Sequence, residues 1–187
     1  YLAVYKVNLE TGSIKRYEAF KNGLHNKTSN KIINDSKGNI WFATSGGVEM
    51  YDSKTDSFLL YSSENGLAND KVNNIIEDKN GILWLLTDMG ISSFDPAKKI
   101  FHNYSKDDGL LSNNYSEIRL TGDGKIAVAG EDGVTIFEPE HIIKNNNIPP
   151  VVLTHFRIFN KEVAIGKGQP LQEHISVAHE IHLRYNQ

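Results

Sequence analysis

The sequence predicts an all-β protein, a partial β-propeller made of four-stranded blades. Two observations carry that expectation. The segment Asn22 to Asp52 recurs at Asn65 to Asp95 and again at Asp108 to Glu138, each copy displaced by 43 residues without a gap. Each copy also divides into four short strand-like runs separated by turn signals, and no segment keeps a 3.6-residue apolar period. Four strands per period, with a period in the low forties, describe a propeller blade.

The repeat is anchored by glycines and aromatics. Gly23, Gly66 and Gly109 share one slot, as do Gly38, Gly81 and Gly124, then Gly47, Gly90 and Gly133. Trp41 and Trp84 share another, with Ala127 in the third copy; Tyr51, Phe94 and Phe137 share a fourth. In the second copy the expected strands are Val72–Glu77, Ile82–Thr87, Gly90–Phe94 and Ile100–Tyr104. Turns are expected at Asp78–Gly81, Asp88–Gly90 and Asp95–Lys98. The opening residues align with the second half of a repeat, Tyr5-Lys6-Val7-Asn8 lying near Met50-Tyr51-Asp52. The expected organisation is therefore a half blade over 1–20 and blades over 21–63, 64–106 and 107–147, within a longer parent protein. The third copy departs from the pattern, with Thr121 in place of Asp35 and Asp78 and no visible fourth strand in "EPEHIIKNNNIPP". A strand from elsewhere is expected to complete it.

Composition narrows the function. The 187 residues are 39% hydrophobic with a net charge of −3, so neither nucleic acid nor an anionic membrane surface is an expected partner. There is no cysteine, hence no disulfide framework. No apolar run approaches the ~20 residues of a membrane helix. WD40 dipeptides are absent, and only Gly46-Gly47 provides a kelch-like glycine pair. Gly38 and Trp41 fall three and six residues after Asp35, one more than sialidase-type Asp boxes require. A one-residue slip turns a side chain to the other face of a strand.

The pattern Asp-x-x-Gly-x-x-Trp, then Gly-Val/Ile-x-x-Tyr/Phe-Asp and Asn-Gly-Leu, resembles the two-component-regulator propeller repeat. The tail, "IPPVVLTHFRIFNKEV" with "FNK" as a strand and then "HISVAHEIHLRYNQ", resembles the opening of the Ig-like Y_Y_Y domain that follows such propellers. The resemblance implies an Ig-like part over 148–187. It further implies the periplasmic sensor region of a hybrid two-component histidine kinase anchored in the inner membrane, homodimeric in the parent. Such a sensor would detect an oligosaccharide and signal to glycan-utilisation genes through the Ig-like domain. Catalysis by this chain is not expected. Two other readings stay open, a glycosidase or lyase propeller and a protein-interaction scaffold.

Chain direction divides the two ends of each blade. The turn after the second strand and the link to the next blade share one end; the turns after the first and third strands share the other. The link end gathers His25, Asn26, Asn30, Asn69, Asp70, Asn73, Asn113, Asn114 and Tyr115. Amides, carboxylates and an aromatic suit sugar hydroxyls and sugar faces. Of these, His25, Asn26, Asn69, Asp70, Asn113, Asn114 and Tyr115 are the ligand-binding candidates. The links are expected to be free of hydrogen-bonded turns, unlike the glycine-held turns opposite. Trp41, Trp84, Tyr51, Phe94 and Phe137 recur in fixed slots and are assigned to the core. No metal or cofactor is assigned: Asp78–Gly81 lacks the later ligands of a calcium loop, and Asp107-Asp108 reads as a turn. His174, His179 and His182 lack a carboxylate partner.

Overall fold

The computed structural model describes residues 3–20, 23–26, 29–142, 153–167, 170–178, 181 and 183. The chain divides into two compact units, Tyr1–Ile143 and Lys144–Gln187. The first opens with a two-stranded sheet, β1 (Ala3–Val7) and β2 (Ile14–Glu18). A four-stranded sheet follows: β3 (Ser29–Asn34), β4 (Ile40–Thr44), β5 (Gly47–Asp52) and β6 (Ser57–Tyr61). A second contains β7 (Val72–Glu77), β8 (Leu83–Thr87), β9 (Gly90–Asp95) and β10 (Ile100–Tyr104). A three-stranded sheet closes the unit with β11 (Glu117–Leu120), β12 (Ile126–Gly130) and β13 (Gly133–Phe137). Each strand pairs antiparallel with its sequence neighbour. β8 starts one residue later than expected because Ile82 closes the preceding turn. Its carbonyl accepts the Asp78 N–H at 2.9 Å, and its own N–H donates to the Asp78 carboxylate at 3.1 Å.

The period of two along each strand decides which sheet a side chain meets. Leu83 and Leu85 pack with Trp41, Ala43 and Val48 of the sheet before. Trp84 and Leu86, one residue out of phase, pack with Ile118, Ile126 and Val128 of the sheet after. A third cluster joins Tyr17 and Leu24 to Phe42, Tyr51 and Phe58. Trp41 meets the edge of Phe94 with centroids 5.9 Å apart, and Trp84 lies 5.4 Å from Phe137. The sheets thus stack face to face. Their closest approach is at the first strands, where β7 neighbours both β3 and β11. The fan opens outward from that inner edge, which is the propeller arrangement.

Trp41 is 0% exposed, Trp84 3%, Phe94 0% and Tyr51 8%. Phe137 is only half-buried, because no fourth strand covers β13 among the described residues. In the two complete sheets the fourth strand brings Phe58 against Tyr51 and stacks Phe101 on Phe94 at 4.3 Å. The fourth strand also explains a glycine slot. A Cβ on Gly47 or Gly90 would overlap the carbonyl oxygen of Tyr61 or Tyr104.

Each tryptophan is fixed through its indole nitrogen. Trp41 Nε1 donates to Asp35 Oδ2 at 2.9 Å, and Trp84 Nε1 donates to Asp78 Oδ2 at 2.9 Å. The other oxygen of each carboxylate accepts turn amides, from Lys37 and Asn39 in one copy and from Asn80 and Ile82 in the next. Burial pushes the Asp35 carboxyl upward. Hydrogen bonds from Trp41, Asn39 and the turn amides outweigh that, so its pKa lies below the usual value. In the third copy Thr121 Oγ1 accepts the Lys125 N–H at 2.9 Å, and there is no tryptophan to hold.

In the second unit, β14 (Arg157–Ile158) and β15 (Lys161–Glu162) form a hairpin. Phe159 and Asn160, expected to begin a strand, are its turn, with φ of 49° and 65°. Two consecutive positive φ values are the geometry of a two-residue type I′ connection. Residues 174–178 form a turn, the N–H groups of Val177 and Ala178 both donating to the His174 carbonyl. Residues 148–152, His179 and His182 lie outside the described residues. No helix of the described residues is long and apolar enough to cross a membrane.

This packing sets the cost of changing each of these side chains. Trp84→Ala should lower unfolding free energy by about 3–5 kcal/mol, and Asp78→Ala by about 1–3 kcal/mol through the orphaned indole and amides. Thr121→Ala should cost less than Asp78→Ala, with urea titration as the readout. Because the Asp35 pKa is depressed in the fold, its contribution is present above the unfolded carboxylate pKa of about 4 and is lost as pH falls below it. Asp35→Asn should therefore flatten the loss of stability between about pH 5 and pH 2.

Candidate functional site: a polar cleft at the link end

The links are built structures. In the second link, Ser62 and Asn65 form a capping box around the short turn Ser63–Asn65, and Leu67 plugs the core. Asp70 Oδ1 accepts the Ser63 N–H at 2.6 Å, and Asn69 Oδ1 accepts the Lys71 N–H at 2.9 Å. The third link repeats the design. Ser105 and Asp108 form the box, and Asn113 Oδ1 accepts the Lys106 N–H at 2.8 Å. The expectation that links lack hydrogen-bonded turns is therefore corrected. Short polar side chains at these positions satisfy backbone donors that no strand partner reaches.

Several candidate residues consequently serve the loops themselves. In the first link the fully buried Glu49 accepts the His25 N–H at 3.0 Å and the Asn26 amide at 2.8 Å. His25 Nδ1 lies 3.4 Å from the same carboxylate. Tyr115 is also corrected. Its ring is 2% exposed in the cluster with Trp84 and Ile118, and its hydroxyl accepts the Ser112 N–H at 3.2 Å. A tyrosine that follows two asparagines in a polar loop reads as a surface ring, yet it plugs the core near the slots of Ile91 and Val128.

Asn73 and Asn114 behave differently. β3 and β7 each carry a register shift at the inner edge, between Ser29 and Lys31 and between Val72 and Asn74. A bulge re-aims the extra side chain. Asn30 crosses to the next sheet and donates to the Val72 carbonyl at 2.8 Å. Asn73 turns toward the link end and donates to Asp88 Oδ1 at 2.7 Å. There it lines a cleft of about 470 Å³ with Lys71, Asp88, Asn114, Tyr115 and Ser116. Lys71 Nζ donates to Asp88 Oδ2 at 2.9 Å. The hydrogen bonds from Lys71 and then Asn73 hold the Asp88 carboxyl below the ordinary range, so it stays ionised. The cleft offers a carboxylate, an ammonium group, two amides and a hydroxyl within one concavity.

Lys71, Asp88 and Ser116 were not among the candidates drawn from sequence. Asp88 stands where the other copies have Ser45 and Glu131, and Lys71 where Asn114 follows it. Departure from the repeat was the available signal. A second concavity, of about 330 Å³, lies between Ile91, Tyr104, Leu110, Phe137 and Ile142. It is mainly apolar. It borders Phe137 on β13, the edge strand beside which no fourth strand pairs among the described residues.

The fold and its repeat define a segment of a β-propeller. The two-component regulator propeller repeat matches at residues 23–46 and 66–89, in the first and second copies. The chain is similar to the solved extracellular domain of the hybrid two component system BT3049 from B. thetaiotaomicron. Identity is 25% and the TM-score 0.65, over 84% of this chain and 23% of that one. It therefore spans under a quarter of that structure. Virginiamycin B lyase from Staphylococcus aureus is 18% identical with a TM-score of 0.53, over 73% of this chain and 48% of that one. PorZ, a surface component of the type-IX secretion system of Porphyromonas gingivalis, is 18% identical with a TM-score of 0.52, over 72% and 19%. These two likenesses show the fold alone. No curated protein sequence matches the chain.

The divided roles within the links can be tested directly. Tyr115→Ala should destabilise the protein by about 3–5 kcal/mol, whereas Asn114→Ala should stay within about 0.5 kcal/mol of the parent, as read by thermal and urea unfolding.

Proposed function

We propose that this chain is the ligand-sensing part of an extracytoplasmic two-component sensor, and that it binds oligosaccharide at the link end rather than catalysing a reaction. The observation that carries this reading is the cleft formed by Lys71, Asn73, Asp88, Asn114 and Ser116. Amide and carboxylate groups there are oriented by a fixed bulge and a fixed ion pair, and such groups meet vicinal hydroxyls in pairs. The two-component regulator repeats and the likeness to an extracellular domain of a hybrid system support the sensor role.

In the parent, this region acts with the remaining blades and with an Ig-like domain that leads to a membrane anchor, in a homodimer that controls glycan-utilisation genes. Ligand binding shifts the arrangement only by its differential affinity for two states. A cleft shared by neighbouring sheets suits that requirement, because each wall belongs to a different blade.

The test is calorimetric screening of the complete extracytoplasmic region against an oligosaccharide panel. Asn73→Ala and Asn114→Ala should each weaken the binding found by about 3–10-fold, the value of one hydrogen bond. Lys37→Ala and Lys79→Ala, at the opposite end, should leave it unchanged. The reverse ranking would place the site at the turn end and overturn the reading.

A further inference from the structure

The charge of the cleft carries its selectivity. Two charged side chains line it, Lys71 and Asp88, and they neutralise each other at 2.9 Å. Asp88 is doubly anchored, one oxygen by Lys71 and the other by the Asn73 amide at 2.7 Å. Each carboxylate oxygen has about two lone-pair directions, so each keeps one open for an incoming hydroxyl. The remaining lining polar groups, on Asn114 and Ser116, are neutral.

From this arrangement we infer that the cleft selects neutral, hydroxyl-rich sugars and rejects anionic ones such as uronates. The inference rests on the sugar-binding reading above and adds the ligand's charge class. A neutral sugar donates its hydroxyls to the open lone pairs of Asp88 and accepts from the Asn114 amide, and no ion pair is broken. A uronate must draw Lys71 away from Asp88. It then holds its carboxylate beside a second one stripped of its cation, and like charges at contact distance oppose binding. The selectivity is therefore built from a repulsive element, Asp88, as much as from attractive ones.

Asp88 is also the residue that can be changed without disturbing the sheets. It lies in the β8–β9 turn, its side chain is 41% exposed, and the equivalent position in the first copy is Ser45. Asp88→Asn keeps the shape and an amide oxygen for Asn73, and it releases Lys71 to meet an anion.

The experiment measures calorimetric affinities of the complete extracytoplasmic region for two panels. One contains neutral trisaccharides of glucose, galactose, mannose and xylose; the other contains trigalacturonate and oligoglucuronates. The parent protein should bind its best neutral ligand at least about tenfold more tightly than any uronate. Asp88→Asn, with its unfolding temperature checked against the parent, should weaken the neutral ligand about threefold or more and strengthen uronates about tenfold. A parent protein that prefers uronates would overturn the charge inference and leave the sugar-sensing reading standing. Binding by neither panel would overturn both.

Discussion

The buried hydrogen bond from a tryptophan indole to an aspartate in the first turn of its own sheet is the constraint on which this structure depends. A tryptophan carries one polar atom, and burying that atom without a partner costs free energy. Asp35 and Asp78 supply the partner six residues upstream, and the same carboxylates hold the turn amides that would otherwise compete with the indole. One side chain therefore sets the turn geometry, the ring orientation and the spacing to the next sheet. Trp41 reaches Phe94 and Trp84 reaches Phe137 because the indole cannot rotate away. In the third copy both members are absent together: Thr121 serves the turn alone, and Ala127 leaves no large ring on the outer face.

With the turn end committed to that task, the link end is where composition can vary. Even there most polar side chains are occupied. Asp70 and Asn113 cap short turns, Asn69 closes a turn of its own, and Glu49 ties down His25 and Asn26. This rigidity bears on the binding role proposed for the link end. A link whose backbone donors are satisfied internally presents Lys71 and Asn114 from a fixed base, and a bulge in β7 fixes Asn73. Little ordering entropy remains to oppose binding at such a site.

The fold was largely legible in the sequence because a repeat reports packing. Trp84 and Phe94 share slots with Trp41 and Tyr51, and identical slots fill identical roles. The four strands of the second copy were readable to within one residue at their ends, since Gly81 and Gly90 mark turns whose backbone only glycine adopts readily. The site was less legible for the same reason. Asp88, Lys71 and Ser116 are positions where the copies disagree, and a repeat-based reading passes over disagreement. Tyr115 was misread because its neighbours are polar and its own contacts, to Ile118 and Val128, are set by sheet stacking. Phe159 and Asn160 were misread because a phenylalanine favours strands, whereas here tertiary structure places it in a left-handed turn.

The central claim is that ligand meets this protein at the link end between its second and third sheets. Amide hydrogen exchange on the complete extracytoplasmic region, with and without a saturating neutral oligosaccharide, tests it most directly. The account predicts slowed exchange within residues 70–74, 87–90 and 112–117 and unchanged exchange within 35–39 and 78–82. Protection confined to the latter two segments, with the link end unaffected, would contradict it.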